Sequence, residues 1–188
     1  EKDFFIARDV ILQSAAKLVI TITSNQFDSP FKSATTQDSK EAIISLPKST
    51  FKTFAAITIV DVSSILIIPI LVGIDFADIM IALQNSKGTA CSVASTYQKS
   101  VEATKRLTHI QSTNFKEANS ILAILSYSNP DLITLDDITN ISGVISKNSN
   151  NNLNSFCWGC SYNKQLPTLF RLTILPVISD EEFPKYEI

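Results

Sequence analysis

The chain has 188 residues, enough for one medium-sized domain or two very small ones, and its formal net charge is −2. Its arginines, Arg8, Arg106 and Arg171, are scattered, which argues against nucleic-acid binding because such proteins usually carry a clustered basic face. Hydrophobic residues make up 45% of the chain and charged residues only 18%, a balance that favours a large core, a membrane contact or an apolar surface for a partner.

The first forty residues predict one helix and one long loop. Residues 3–23 carry apolar side chains at helical spacing, with Asp3 as a suitable N-cap. The β-branched end of this segment, residues 19–23, also suits a strand. Residues 24–40 are polar and rich in turn-forming residues, which predicts a long loop.

Residues 54–83 contain no basic side chain, and this segment dominates the fold prediction. Most residues of 57–74 are β-branched, and Asp61 with the Ser63-Ser64 pair interrupts the apolar run. This pattern favours two short buried strands separated by a turn, with Pro69 placing the second strand at an edge or a bulge. In this interpretation Asp61 reaches water at the turn, because a buried carboxylate must be paired and hydrogen-bonded.

A membrane span is the alternative interpretation of the same segment. About twenty apolar residues suffice to cross a bilayer, and lysines before the segment with aspartates after it would orient the N-terminus inside. Against this, Asp61 would cost about 2.5–3.5 kcal/mol within such a helix, and a spanning helix has no need for so many β-branched residues. Five apolar residues are the candidate membrane or partner contacts: Phe54, Ile67, Ile68, Ile70 and Leu71.

The second half of the chain predicts four helices and one strand. The helices cover residues 75–85, residues 89–110, a segment from the Asn114 cap to the Asn129-Pro130 pair, and residues 135–145 with a Thr134 cap. An Asn-rich loop covers residues 148–155, and residues 169–178 form a strand that Pro176 places near an edge. The predicted fold class is therefore α+β, a helix-rich single domain over residues 1–188 with a small buried sheet from residues 54–74 and 169–178.

The Cys157-Trp158-Gly159-Cys160 tetrapeptide allows three kinds of site: a redox dithiol, half a zinc site or a constrained disulfide. Too few residues follow it for a thioredoxin-like fold. For zinc, Cys91 and His109 are the remaining candidate ligands, but both lie on one predicted helix, several turns apart. The plainer interpretation has the pair partly buried around Trp158, or one of its thiols bonded to Cys91.

Nothing in the sequence argues for an enzyme. His109 is the only histidine and is expected on a polar helix face, and the four glycines leave no phosphate-binding or dinucleotide-binding loop. The adjacent Asp136 and Asp137 diverge on a helix, and Asp137 serves better in a helix cap. No cofactor is expected beyond zinc at the cysteine pair.

Three functions follow from these observations. The first is a non-catalytic binding or assembly protein that presents apolar surface to a protein partner or to another copy of itself. The second is a membrane-active or membrane-anchored protein that uses residues 54–83, and the third is a thiol or zinc protein built on Cys157 and Cys160. The chain starts at Glu1 rather than at a methionine, which we interpret as a processed or truncated product, compatible with a secreted or membrane-associated protein.

Overall fold

The computed structural model describes residues 16–24, 40–67, 70–84, 86–95, 100–149 and 153–179. Within these ranges, eight strands form one mixed sheet: β1 (Val19–Ser24), β2 (Glu41–Leu46), β3 (Ile70–Val72), β4 (Ser86–Thr89), β5 (Cys91–Ser95), β6 (Ser120–Tyr127), β7 (Ser155–Tyr162) and β8 (Phe170–Ser179). The helices of the described ranges are α1 (Phe51–Ile67), α2 (Phe76–Leu83), α3 (Ser100–Ile110), α4 (Ser112–Glu117) and α5 (Leu135–Asn148).

Strand β8 is the centre of the sheet. The strand order is β1-β2-β4-β8-β6-β7-β3, and β5 pairs with β8 beyond the end of β4. β1, β2 and β4 run parallel to one another, as do β6 and β7, whereas β8 runs antiparallel to β4, β5 and β6. The fold is therefore α/β with an extensive mixed sheet, and the predicted α+β fold with a small sheet is wrong.

Helices cover both faces of the sheet, and each face has its own apolar cluster. The α5-side cluster lies between the sheet and α3, α4 and α5; it includes Leu107, Phe115, Ile121, Leu125, Ile138, Ile141, Ile145, Leu172 and Ile174. The α1-side cluster lies between the sheet and α1 and α2; it includes Leu46, Val62, Ile65, Ile79, Leu83, Leu122, Ile124, Leu175 and Val177. Neighbouring residues of β6 and β8 alternate between the two clusters, as side chains of a strand covered on both faces must.

Residues 51–67 form one helix, so the prediction of two strands within 54–74 is wrong for this part. The buried residues of α1 are Thr58, Asp61, Val62 and Ile65, which recur at the three- and four-residue spacing of one helix face. The β-branched side chains favoured a strand by propensity, but tertiary packing overrides such preferences. The strand β3 at Ile70–Val72 is the part of the predicted sheet segment that does form.

Asp61 does not reach water at a turn, as predicted, but is fully buried in the middle of α1. Its carboxylate accepts hydrogen bonds from the Arg171 Nε, at 3.0 Å and 3.2 Å to its two oxygens, and pairs with a terminal guanidinium nitrogen of the same arginine. Thr173 Oγ1 donates to the second oxygen at 2.6 Å and lies 3.0 Å from Ser92 Oγ. This network joins α1 to β8 and β5.

The sequence located the capped helices well. Asp75 and Asp78 form a reciprocal capping box at the start of α2, and Thr134 and Asp137 form another at the start of α5. Both helices are confirmed. The predicted helix over 89–110 is wrong in its first part, since Cys91–Ser95 is strand β5. The helix predicted from the Asn114 cap to Asn129-Pro130 is also wrong: Asn114 lies inside the short helix α4, whose N-cap is Gln111, and Ser120–Tyr127 is strand β6.

The strand predicted over 169–178 is confirmed as β8, but its expected position at an edge is wrong. Pro176 pairs with Ile121 in the register between β8 and β6. The carbonyl of the next residue, Val177, accepts a hydrogen bond from the Asn119 amide on the β6 side. Because backbone groups of neighbouring residues in a strand face opposite edges, the backbone of Pro176 faces the other edge of β8, at the point where β4 ends and β5 begins. A proline can lie in this central strand because its missing N–H faces an interruption of the ladder.

The remaining predictions for the N-terminal part concern residues that are only partly described. Residues 19–24 form strand β1, so the helix predicted over 3–23 is wrong at its end and the alternative of a strand over residues 19–23 is confirmed. Residues 16–18 are described and are not helical, whereas residues 3–15 of that helix, residues 25–39 of the predicted loop and residues 150–152 of the Asn-rich loop lie outside the described residues.

We expect Asp61→Asn to lower the free energy of unfolding by about 3 kcal/mol, because it leaves the Arg171 guanidinium without its counter-charge in a largely buried position. Urea unfolding measures the change. Ser63→Ala, on the exposed face of the same helix, is the control and should change stability by less than about 0.5 kcal/mol. A loss below about 1 kcal/mol for Asp61→Asn would show that the pair does not hold α1 in place.

We also expect two glycine-to-alanine substitutions to act in opposite directions. A Cβ at Gly88 would lie 2.2 Å from the Pro176 carbonyl oxygen and 2.7 Å from the Val177 Cα, so Gly88→Ala must push β4 from β8 at a cost of about 1–3 kcal/mol. A Cβ at Gly143 on α5 meets nothing within 4 Å, so Gly143→Ala should stabilise the helix by about 0.5–1 kcal/mol. Thermal unfolding of both variants measures this, and equal effects would contradict the close approach of β4 to β8.

Candidate assembly surface

The outer face of α1 is apolar and uncharged. Ile59 is 57% exposed, Val60 48%, Leu66 46% and Ile67 78%, and the exposed Ala56 and Ser63 lie between them at helical spacing. From Thr53 to Ile67 the helix has one charged residue, Asp61, and its side chain faces the sheet. We call the four exposed side chains Ile59, Val60, Leu66 and Ile67 the α1 stripe.

The α1 stripe is unusual because large apolar side chains of a globular protein mostly face inward. Single exposed apolar residues are common and need no explanation. Here four of them lie within three turns, over a helix length of about 12 Å at about 1.5 Å per residue, with no exposed charge among them. Such a patch marks an interaction surface.

The same helix is long and apolar enough to cross a membrane. By length and composition alone, Lys48–Ile67 is a candidate span, although a core helix of a globular protein also meets this criterion. Its inner face carries the fully buried Asp61, which is paired with Arg171 of β8. In this structure, α1 therefore packs against the sheet through a polar network as well as apolar contacts.

Two further apolar side chains are exposed on α2, the neighbouring helix on this face of the sheet. Phe76 is 41% exposed and Ile81 40%, while Ile79 and Leu83 of the same helix pack into the α1-side cluster. The α1-side layer thus exposes apolar residues on both of its helices.

Of the five predicted contact residues, Ile67 is the one whose exposed position the structure describes. Phe54 is half-buried and packs against the α1-side cluster. Ile68 and the side chains of Ile70 and Leu71 lie outside what the structure describes. Ile59, Val60 and Leu66 were missed, and the signal that could have found them is the helical spacing of the apolar residues in α1.

The four candidate zinc ligands do not come together. Cys157 and Cys160 lie on strand β7, three residues apart, so their side chains point to opposite faces of the sheet. Cys157 packs against the α1-side cluster, with its Sγ 3.5 Å from the Asp78 carbonyl oxygen, whereas Cys160 and Cys91 belong to the α5-side cluster. His109 is exposed on α3. No group of three potential metal ligands occurs among the described residues.

All three cysteines are free thiols, and burial makes them weak acids. Burial raises the pKa of Cys91 and of Cys160 from 9.0 to about 12. The pKa of Cys157 is also raised, mainly by burial and further by the nearby Asp78 and Asp75, although a hydrogen bond with Ser155 opposes the shift. Because the thiolate is the reactive form, none of the three has the character of a redox-active cysteine.

We expect thiol titration of the native protein at pH 8 to show no fast-reacting cysteine, with slow reaction at Cys157 first because it is the least buried of the three. The urea-unfolded chain should react at all three. Cys91 and Cys160 ionise less readily in the folded chain than in the unfolded chain, and their contribution to stability is fully present below about pH 9. The free energy of unfolding should fall as pH rises from 9 towards 12, by up to about 1.4 kcal/mol per pH unit for each of these two thiols. A rapidly reacting thiol at pH 8 would contradict the described burial.

Comparison with known proteins gives a relationship in fold alone. No family model and no curated protein matches the sequence. Among solved structures, a dimer of FtsZ from M. jannaschii matches with a TM-score of 0.57 and 16% sequence identity, over 74% of this chain and 45% of that one. A point mutant of FtsZ from the same organism matches with a TM-score of 0.50 and 14% identity, over 76% and 46%.

CetZ from Methanosaeta thermophila matches with a TM-score of 0.53 and 12% identity, over 74% of this chain and 43% of that one. The chain thus spans less than half the length of each of these three structures. At this level of identity the match concerns the arrangement of helices and strands only. In fold, the chain is similar to part of FtsZ and CetZ.

Proposed function

We propose that the protein is a non-catalytic assembly module that binds another copy of itself through the α1 stripe. The observation that carries this proposal is the uncharged outer face of α1, on which Ile59, Val60, Leu66 and Ile67 are exposed. Burying apolar surface gains about 25 cal/mol for each Å² removed from water. With no exposed charge on the stripe, two copies can meet face to face without electrostatic repulsion.

The similarity in fold supports assembly. One of the matching solved structures is an FtsZ dimer. A two-fold interface uses the same surface on both subunits, so a helix such as α1 can pack antiparallel against its own copy. In the proposed dimer the α1 stripes form the centre of the interface, where interfaces are most apolar, and the polar residues at the start of α1 lie at its rim.

A membrane contact through the same face is the second candidate function. The observation in its favour is the length and apolar composition of Lys48–Ile67. A helix lying in a membrane interface would also bury the α1 stripe, while the Asp61 pair with Arg171 keeps the inner face on the sheet.

We expect the wild-type protein to form dimers in gel filtration with light scattering, and the double variant Ile59→Lys/Ile67→Lys to be monomeric. Two lysines at the stripe introduce like charges that face each other in the dimer, and they should weaken association at least tenfold. Both positions are exposed, so the variant should unfold at nearly the same urea concentration as the wild type.

Ile110→Lys is the matched control. Ile110 is 64% exposed at the end of α3, on the opposite face of the sheet, so this variant should remain dimeric. A wild-type protein that stays monomeric at high micromolar concentration contradicts assembly through the stripe. Flotation with liposomes separates the two candidates: protein that floats through the stripe, and loses flotation in the double variant, favours the membrane contact instead.

A further inference from the structure

One edge of strand β5 is open within the described part of the chain. Strand β2 pairs with β4 as far as Ser45 opposite Thr89, and β2 then ends at Leu46 before the chain turns into α1. The neighbouring strand continues as β5, from Cys91 to Ser95, and within the described residues it pairs with β8 alone. β2 therefore ends too early to pair with β5, and it does not cover the outer edge of β5.

The outward backbone groups of β5 follow from its pairing with β8. The Ser95 carbonyl accepts from the Leu169 amide at 2.9 Å on the β8 side. Backbone groups of a strand alternate between its two edges, so Cys91 and Val93 also face β8 while Ser92 and Ala94 face the open edge. An edge that presents unpaired N–H and C=O groups is a template for a further strand.

A cleft of about 460 Å³, within the size range of binding pockets, lies beside the start of β5, at Cys91 and Ser92. The connection from β2 into α1 contributes Pro47 and Phe54, and the segment from α3 into α4 contributes Leu107, Gln111 and Asn114. The two groups come from opposite faces of the sheet and meet at the start of β5, where Cys91 and Ser92 line the cleft. The first wall is apolar, and the second carries two amides with the Glu117 carboxylate beside them. Asn114 Nδ2 donates to Gln111 Oε1 at 2.7 Å, which orients both amides.

We propose that this cleft binds an extended segment of a partner protein, which adds to the sheet as a strand beside β5. The outward N–H and C=O groups of Ser92 and Ala94 pair with the backbone of the segment. Alternate side chains of an added strand point to opposite faces, so apolar ones lie against Pro47 and Phe54 and polar ones lie against Gln111 and Asn114. The recognised chemistry is therefore an amphipathic extended peptide, and the site is separate from the α1 stripe.

Binding of a designed peptide tests the backbone pairing. The probe is a fluorescein-labelled octapeptide of alternating valine and threonine, measured by fluorescence anisotropy. An added strand can run in either direction, and its direction decides which of its amides face β5. Methylation of every amide removes the donors in both directions, so we expect a peptide N-methylated at every residue to bind at least tenfold more weakly than the parent.

Two variants of the protein test whether the peptide binds beside β5. Ala94→Pro removes one outward N–H and leaves the pairing with β8 intact, whereas Ala94→Thr keeps the N–H and is the matched control. We expect at least tenfold weaker binding for the proline variant and unchanged binding for the threonine variant, with thermal unfolding showing that both fold. Hydrogen exchange should show slower exchange of the Ser92 and Ala94 amides in the presence of the parent peptide.

Three results would overturn the proposal: no binding of the parent peptide at 1 mM, equal binding of the fully methylated peptide and the parent, or binding that leaves the exchange of Ser92 and Ala94 unchanged. The stripe variant Ile59→Lys/Ile67→Lys should bind the peptide like the wild type. Failure of self-association and failure of peptide binding are thus measured separately.

Discussion

The position of α1 on the sheet depends on one buried ion pair. Asp61 is fully buried, and Arg171 and Thr173 of the central strand β8 satisfy its carboxylate. Removing a carboxylate from water costs several kcal/mol, which is recovered only when the charge is paired and its oxygens are hydrogen-bonded. If α1 were turned about its own axis, the Asp61 carboxylate would move away from Arg171 and Thr173 and lose these partners. The pair therefore selects which face of the helix lies on the sheet and, as a consequence, which face carries the α1 stripe.

The sequence predicted the elements whose signals are local. The capping boxes at Asp75 and Thr134 each use side chains three residues apart, and both mark the start of a helix. The alternation in residues 169–178 likewise identified β8. The elements that were missed depend on tertiary contacts: β6 is buried on both faces, so its continuous apolar run fits a helix as well as a strand.

The same reasoning explains what was missed at the candidate sites. The β-branched residues of α1 favoured a strand, and a strand pattern cannot show that Ile59, Val60, Leu66 and Ile67 share one exposed face. The aspartate that interrupted the apolar run was interpreted as a turn because its partner, Arg171, lies 110 residues further along the chain. Two cysteines three residues apart can share a site when they lie on a helix or a turn. Cys157 and Cys160 lie on strand β7, where this spacing points their side chains to opposite faces of the sheet.

The central position of β8 has a consequence for the order of folding. β1, β2 and β4 lie on one side of β8, and β6, β7 and β3 lie on the other. The two groups of strands are joined within the described sheet only through β8, the last of these strands to be synthesised. On a ribosome, the earlier strands must wait for their shared neighbour, and until it emerges they expose the edges that it will cover. Such dependence on distant contacts makes folding slow and leaves the nascent chain open to mispairing.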